Sequence, residues 1–212
     1  MGMNMNRIAV SLIFVLFSAQ SSNSQSNMYY EIGAGISFSG GSNKILEDHR
    51  MGLTFAASIS RKVIDNIQIL LNVGYNRYYY SGKVSPLIAP RPYVQSINGK
   101  PGNVYEINIG SRYFLDTSRV GSFFQLNMGT MLTRDGEILI KQWYIDRPEI
   151  YWEIIYKRGG TYYLDAYFSL GYGYSIPISK SVNVIPHANF QLSLNRKEVY
   201  FPFKLHVQLP LR

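Results

Sequence analysis

Large apolar residues recur at every second position in eight stretches of the chain: 30–38, 51–60, 67–75, 105–115, 124–132, 162–174, 182–194 and 199–212. A period of two places successive side chains on opposite faces of a β-strand, whereas a helical period of 3.6 would smear the same pattern around the axis. The last stretch shows it most fully. Phe201, Phe203, Leu205, Val207, Leu209 and Leu211 make one face, and Pro202, Lys204, His206, Gln208, Pro210 and Arg212 the other. Neither Pro202 nor Pro210 can donate a ladder hydrogen bond, so both are expected at the rims, with a short, cleanly paired seam between them.

The connections alternate in length. Short ones at 61–66, 116–119 and 175–181 alternate with long ones at 39–50, 78–103 and 133–161, and the last, 195–198, is short. Long and short loops at opposite ends predict an all-β fold: a closed, eight-stranded, antiparallel up-and-down barrel. An even strand count also brings both termini to the short-turn end.

Which face is oily on the outside decides between a soluble and a transmembrane barrel. A soluble lipocalin-like barrel alternates too, but with its apolar face inward. Here the polar face is built mostly of Gly, Ser, Asn, Gln and Thr, with few charges. A soluble exterior is rich in Lys and Glu, whereas small uncharged residues suit a narrow, filled lumen. Aromatic residues cluster near strand ends, at Tyr29, Tyr30, Tyr78, Tyr79, Tyr80, Tyr105, Tyr113, Tyr162, Tyr163, Tyr172 and Tyr174. Rings at both interfaces are the girdles of a membrane barrel. The apolar face is therefore expected to meet lipid.

The N-terminus points the same way. The apolar run 8–19 follows Arg7 and precedes small polar residues. It falls well short of the ~20 residues that span a bilayer. Residues 1–24 are expected to be a cleaved signal peptide and 25–212 the barrel domain. Cysteine is absent, which excludes disulfides and thiolate metal sites. The formal charge of +8 favours anionic partners, which for an exported barrel means lipid head groups and phosphates rather than nucleic acid.

In its alternation, loop pattern and aromatic girdles, the chain resembles the small eight-stranded outer-membrane proteins of Gram-negative bacteria, the OmpA/OmpX-like barrel domain. Gln25 at the expected new N-terminus and the basic short turns Ser60-Arg61-Lys62 and Ser179-Lys180-Ser181 look like the Bacteroidetes branch of that family. The resemblance implies a monomer in the outer membrane, in contact with lipid and lipopolysaccharide. One feature departs from the family: its members commonly end in an aromatic residue, whereas this chain ends Leu211-Arg212.

The inward list contains seven charged or titratable residues: Glu31, Glu106, Arg112, Asp165, His187, Lys204 and His206. Unpaired charges in a narrow lumen are costly, so these are expected to pair across it and plug it. No metal or cofactor site is expected. The three histidines are far apart, no His-Glu-x-x-His occurs, and no glycine motif cradles phosphate. Lipid A deacylase barrels, similar in size, carry a His-x-Ser pair; here His187-Ala188-Asn189 and His206-Val207-Gln208 stand instead. No catalytic residues are expected.

Recognition then falls to the long loops. Lys83, Arg91 and Lys100 make 78–103 basic and free of acids. Residues 137–157 read as an extended hairpin carrying Trp143, Tyr144, Tyr151 and Trp152, turning at Asp146-Arg147-Pro148-Glu149. Its edge suits a protein partner. The functional reading is a non-enzymatic outer-membrane barrel with a structural, adhesive or surface-interaction role. The alternatives are a narrow passive pore, a soluble lipocalin-like binder and a lipid A-modifying enzyme.

Overall fold

The computed structural model describes residues 28–41, 51–79, 93–116, 120–144, 153–158 and 160–211. The expected signal peptide lies outside them. Eleven strands are present: β1 Met28–Gly41, β2 Met51–Ile64, β3 Ile67–Tyr79, β4 Tyr93–Gly99, β5 Gly102–Phe114, β6 Gly121–Arg134, β7 Ile138–Tyr144, β8 Glu153–Arg158, β9 Tyr162–Ser179, β10 Val182–Ser193 and β11 Glu198–Pro210. Eight of them close into a barrel in the order β1-β11-β10-β9-β6-β5-β3-β2, and β4, β7 and β8 form a separate three-stranded sheet. The eight barrel strands correspond to the eight alternating stretches of the sequence. The barrel is all-antiparallel and up-and-down.

Alternation is kept around the whole circumference. On β6 the side chains of Phe124, Leu126, Met128 and Leu132 point out and are exposed, whereas Phe123, Gln125, Asn127, Met131 and Thr133 are buried inside. On β11 the exposed set is Phe201, Phe203, Leu205 and Val207, and Lys204, His206 and Gln208 are buried. A continuous apolar exterior over a polar interior is stable only with hydrocarbon outside, so this is a transmembrane barrel. Backbone groups in hydrocarbon cost several kcal/mol each when unpaired, which is why the sheet must close.

Closure occurs at the β1–β11 seam. Every residue from Tyr29 to Gly41 has a partner on β11, from Pro210 to Glu198. The Leu211 amide adds a bond to the Met28 carbonyl at 2.8 Å. The seam is therefore longer than the short one expected. Pro210 does sit at the end of the strand, but Pro202 lies within it, opposite Ser37. Its missing N–H is felt on the other side: the β10–β11 pairing runs through Ala188–Phe203 and resumes at Gln191–Tyr200. Pro186 interrupts β9–β10 in the same manner while pairing with Leu205 on β11. Each proline thus turns its donor-less edge to one neighbour and keeps the other.

The register also sets the barrel's shape. Following partners sideways from Tyr113 of β5 through Phe124, Tyr172, Ala188, Phe203, Ile36, Leu53 and Arg77 returns to β5 at Asn103, ten residues from the start. That stagger tilts the strands by roughly 35–45° and leaves an interior just wide enough for side chains. Two of the large rings that enter it face glycine on one side. A Cβ on Gly173 would lie 2.3 Å from the Phe123 ring, and one on Gly33 would lie 2.7 Å from the His206 ring.

The lipid-facing assignment predicts that Met128→Arg, near the middle of β6, lowers the free energy of folding into lipid vesicles by about 2–4 kcal/mol. Urea titration of folding measures it. A change within the ~0.5 kcal/mol typical of solvated surface positions would mean that this face meets water.

Candidate functional site

Two places hold the chemistry: the lumen and the sheet above one rim. One end of the barrel is marked by the start of β1 at Met28, the end of β11 at Pro210 and tight turns such as 65–66 and 180–181. The opposite end carries β4, β7 and β8.

The lumen is filled from wall to wall. Near the short-turn end the Arg112 guanidinium makes a two-pronged ion pair with Glu31, Nη1 to Oε1 at 2.8 Å and Nη2 to Oε2 at 3.0 Å. Both side chains are fully enclosed, 1% and 0% exposed. Arg112 also donates to Gln125 Oε1 from Nε at 3.2 Å and from Nη2 at 3.1 Å, and Gln208 donates to Glu31 at 2.7 Å. The Phe123 ring lies 4.4 Å from the guanidinium carbon. A fork-on-carboxylate geometry with the remaining donors and acceptors satisfied is what lets a buried pair persist.

The other inward acids take neutral donors. Glu106 accepts from Asn76 at 2.5 Å, Gln191 at 3.2 Å and the Tyr167 hydroxyl at 3.4 Å. Asp165 accepts from the Ser193 hydroxyl and from the Asn195 amide. Lys204 lines the same small cavity as Glu106, with no hydrogen bond between them. His206 Nδ1 lies 3.8 Å from Glu31 Oε2, and its ring stands 6.0 Å from that of His187. All seven expected lumen residues point inward, but among the described residues a hydrogen-bonded pairing of charges across the lumen is made by Glu31 and Arg112 alone, with His206 3.8 Å from the same carboxylate. The physical reason is abundance: amide and hydroxyl donors outnumber cations on the inner face and reach the carboxylates first.

Neither histidine hydrogen-bonds a serine among the described residues. His187 Nδ1 has Asn189 at 3.5 Å, and His206 has no hydrogen-bond partner. The cavity between Glu106, Lys204, His187 and His206 measures about 20 Å³, room for one water molecule. No group of His, Cys, Asp and Glu among the described residues could hold a metal ion.

The upper sheet is an extension of the barrel. On the β5–β6 ladder Asn103 faces Arg134; on the β4–β7 ladder Gly99 faces Ile138. Four residues up one strand meet four residues up the other, so the register carries straight through. The same holds for β6–β9 and β7–β8, where Arg134 faces Tyr162 and Ile138 faces Arg158. Backbone bonds bridge the break: Lys100 N–H to Glu137 at 2.7 Å, Asp135 N–H to Thr161 at 3.3 Å and Gly160 N–H to Asp135 at 3.2 Å. Side chains reinforce it, with Lys100 Nζ 2.5 Å from Glu137 Oε2 and the Thr161 amide donating to Asp135 Oδ1 at 2.9 Å. Gly160 adopts φ +84°, a conformation that favours glycine. Three barrel strands thus rise past the rim by up to seven residues, on the order of 20 Å.

Sequence reading found the β7–β8 hairpin and missed β4, which lies inside the proline-containing stretch 78–103. Trp143 and Tyr144 stand on β7, opposite Val94 and Tyr93 of β4. Lys100 sits at the junction. Lys83, Arg91, Tyr151, Trp152 and the 146–149 turn lie outside the described residues. The sheet order β4-β7-β8 leaves β4 and β8 each with one edge that no described strand covers.

Solved outer-membrane barrels share the fold, two of them as follows. Neisserial surface protein A aligns with a TM-score of 0.52 at 13% identity, covering 89% of this chain and 100% of its own. Ail, the attachment invasion locus protein of Yersinia pestis, solved with the heparin analogue sucrose octasulfate, aligns with a TM-score of 0.51 at 9% identity, covering 88% and 99%. No protein-family model and no curated protein matches the sequence. At these identities the likeness establishes the fold of a small eight-stranded outer-membrane barrel.

The unequal partnering inside the lumen predicts unequal costs. Arg112→Leu strands a buried carboxylate and lowers vesicle-folding stability by about 3–5 kcal/mol, and Glu31→Leu in the same chain recovers much of that loss. Lys204→Met, which strands no hydrogen-bonded partner, costs far less. Equal losses for Arg112→Leu and Lys204→Met would refute this assignment.

Proposed function

We propose that this chain is a non-catalytic outer-membrane protein whose barrel serves as an anchor and whose projecting sheet engages another protein at the cell surface. The carrying observation is the register kept across the junction from β5, β6 and β9 into β4, β7 and β8, with one shift farther out between Ile140 and Lys141. It makes the projecting sheet a continuation of the barrel wall whose outer edges no described strand covers. An open edge offers a row of backbone donors and acceptors to an extended segment of a partner, which joins as an added strand. Export by a cleaved signal peptide, 1–24, belongs to the same reading, as do contact with lipopolysaccharide and residence as a monomer.

The filled lumen argues against transport. The Glu31–Arg112 pair, with Gln125, Gln68 and Phe123 around it, occupies the bore near one end, and the cavity beside it is about the size of a water molecule. The absence of any histidine–serine hydrogen bond among the described residues argues against hydrolysis of acyl chains. Ail, one of the structural neighbours, is an attachment protein by its description; that property is Ail's, and it makes surface attachment the first role to test here.

Replacing 138–158 with a short Gly/Ser turn is expected to leave a heat-modifiable, membrane-inserted barrel while abolishing surface crosslinking to a partner in intact cells. A barrel that no longer folds, or a partner captured equally well by the shortened chain, contradicts the proposal. Planar-bilayer recordings of the intact protein are expected to give no stable conductance steps.

A further inference from the structure

The charges on the barrel strands are sorted by face. Every acidic residue of the eight barrel strands, Glu31, Glu106, Asp165 and Glu198, is buried in the lumen. At the upper rim the outward-facing charges are both basic: Arg77 on β3 and Arg134 on β6, each exposed. They lie in one register row. Arg77 pairs with Asn103 of β5, and Asn103 pairs with Arg134. Two strand spacings separate the arginines, roughly 10 Å.

Each guanidinium is held against a tyrosine rather than an acid. Arg77 lies 5.8 Å from the centroid of Tyr79, and Arg134 lies 5.5 Å from that of Tyr162. Neither forms an ion pair among the described residues. Asn103 completes the row: its Oδ1 accepts the Tyr75 hydroxyl at 2.7 Å, which leaves its amide N–H₂ to donate outward. Below the row, Tyr75 and Tyr105 pack with centroids 5.2 Å apart, on the outer, lipid-facing surface of the barrel. Guanidinium forks set over rings at this distance, on the lipid side, just above the apolar band, have water-facing tips and apolar stems.

We infer that Arg77, Asn103 and Arg134 form a binding site for the phosphate groups of a phosphorylated glycolipid in the outer leaflet. Bidentate Arg–phosphate contacts are strong and directional, and the tyrosine stacks reduce the freedom the arginines must give up on binding. Two forks about two strand spacings apart match a head group with more than one phosphate better than a single small anion. The inference rests on the outer-membrane residence proposed above.

The test is native mass spectrometry of the full-length mature protein released from nanodiscs containing one probe each: diphosphoryl lipid A, dephosphorylated lipid A, or phosphatidylglycerol. Heat-modifiable mobility is scored first, because failure to insert would refute the membrane reading and not this site. The inserted wild type is expected to retain diphosphoryl lipid A about tenfold over the other two, and Arg77→Gln with Arg134→Gln to lose that preference. Arg77→Lys with Arg134→Lys keeps charge without the planar fork and is expected to retain an intermediate amount. Arg61→Gln with Lys62→Gln, at the opposite rim, is expected to behave as wild type. Equal retention of phosphatidylglycerol, or an unchanged preference in the Arg77/Arg134 double variant, would overturn the assignment.

Discussion

Hydrocarbon offers no hydrogen bonds, and that single constraint governs this molecule. A strand crossing it must be paired on both edges, so the sheet closes, and closure in turn needs the first and last strands to meet in register. The β1–β11 seam meets that need along its whole length, with Leu211 tied to Met28 beyond the last pair. The two prolines that should threaten it are tolerated because an antiparallel residue directs its backbone groups to one neighbour only. Pro202 breaks pairing toward β10 and Pro186 toward β9, and both leave the ladder on their other side intact.

Closure with a ten-residue stagger also fixes the bore, and the bore selects the inner residues. On one side Phe123 and His206 face Gly173 and Gly33, where a Cβ would collide with the ring. Charges that enter must be neutralised without water, which Glu31 and Arg112 achieve by mutual fit and Glu106 and Asp165 by gathering amide and hydroxyl donors. The result is a plugged cylinder. On the proposed reading, function falls to what emerges from it: the three-stranded extension on β5, β6 and β9, and the basic row on its outer rim.

Much of this was legible in the sequence because a period of two is a local property. Each of the eight stretches shows it unaided, and all eight strands face the way their parity predicts. Parity also placed the seven charged or titratable residues inside. It could not choose their partners, because whether Arg112 meets Glu31 or Asp165 depends on register and stagger around the whole barrel. It could not find β4 either. Pro101 and Gly136 interrupt the pattern at the junction, and the prolines of 78–103 make the stretch before it read as loop. Arg77 was within reach: extending the alternation of 67–75 by one step puts it on the apolar face, where an arginine is out of place unless it reaches the interface.

The barrel depends most on lipid lying outside β6 and packed side chains inside it. Because the chain has no cysteine, single cysteines can be placed at 123 to 132 in turn, spin-labelled, and reconstituted in vesicles. Collision with oxygen, which partitions into hydrocarbon, is then compared with collision with a water-soluble nickel chelate. The structure predicts high oxygen and low nickel accessibility at positions 124, 126, 128, 130 and 132, and low accessibility to both at the odd positions between. High nickel accessibility at the even positions would place water against this face and contradict the transmembrane barrel.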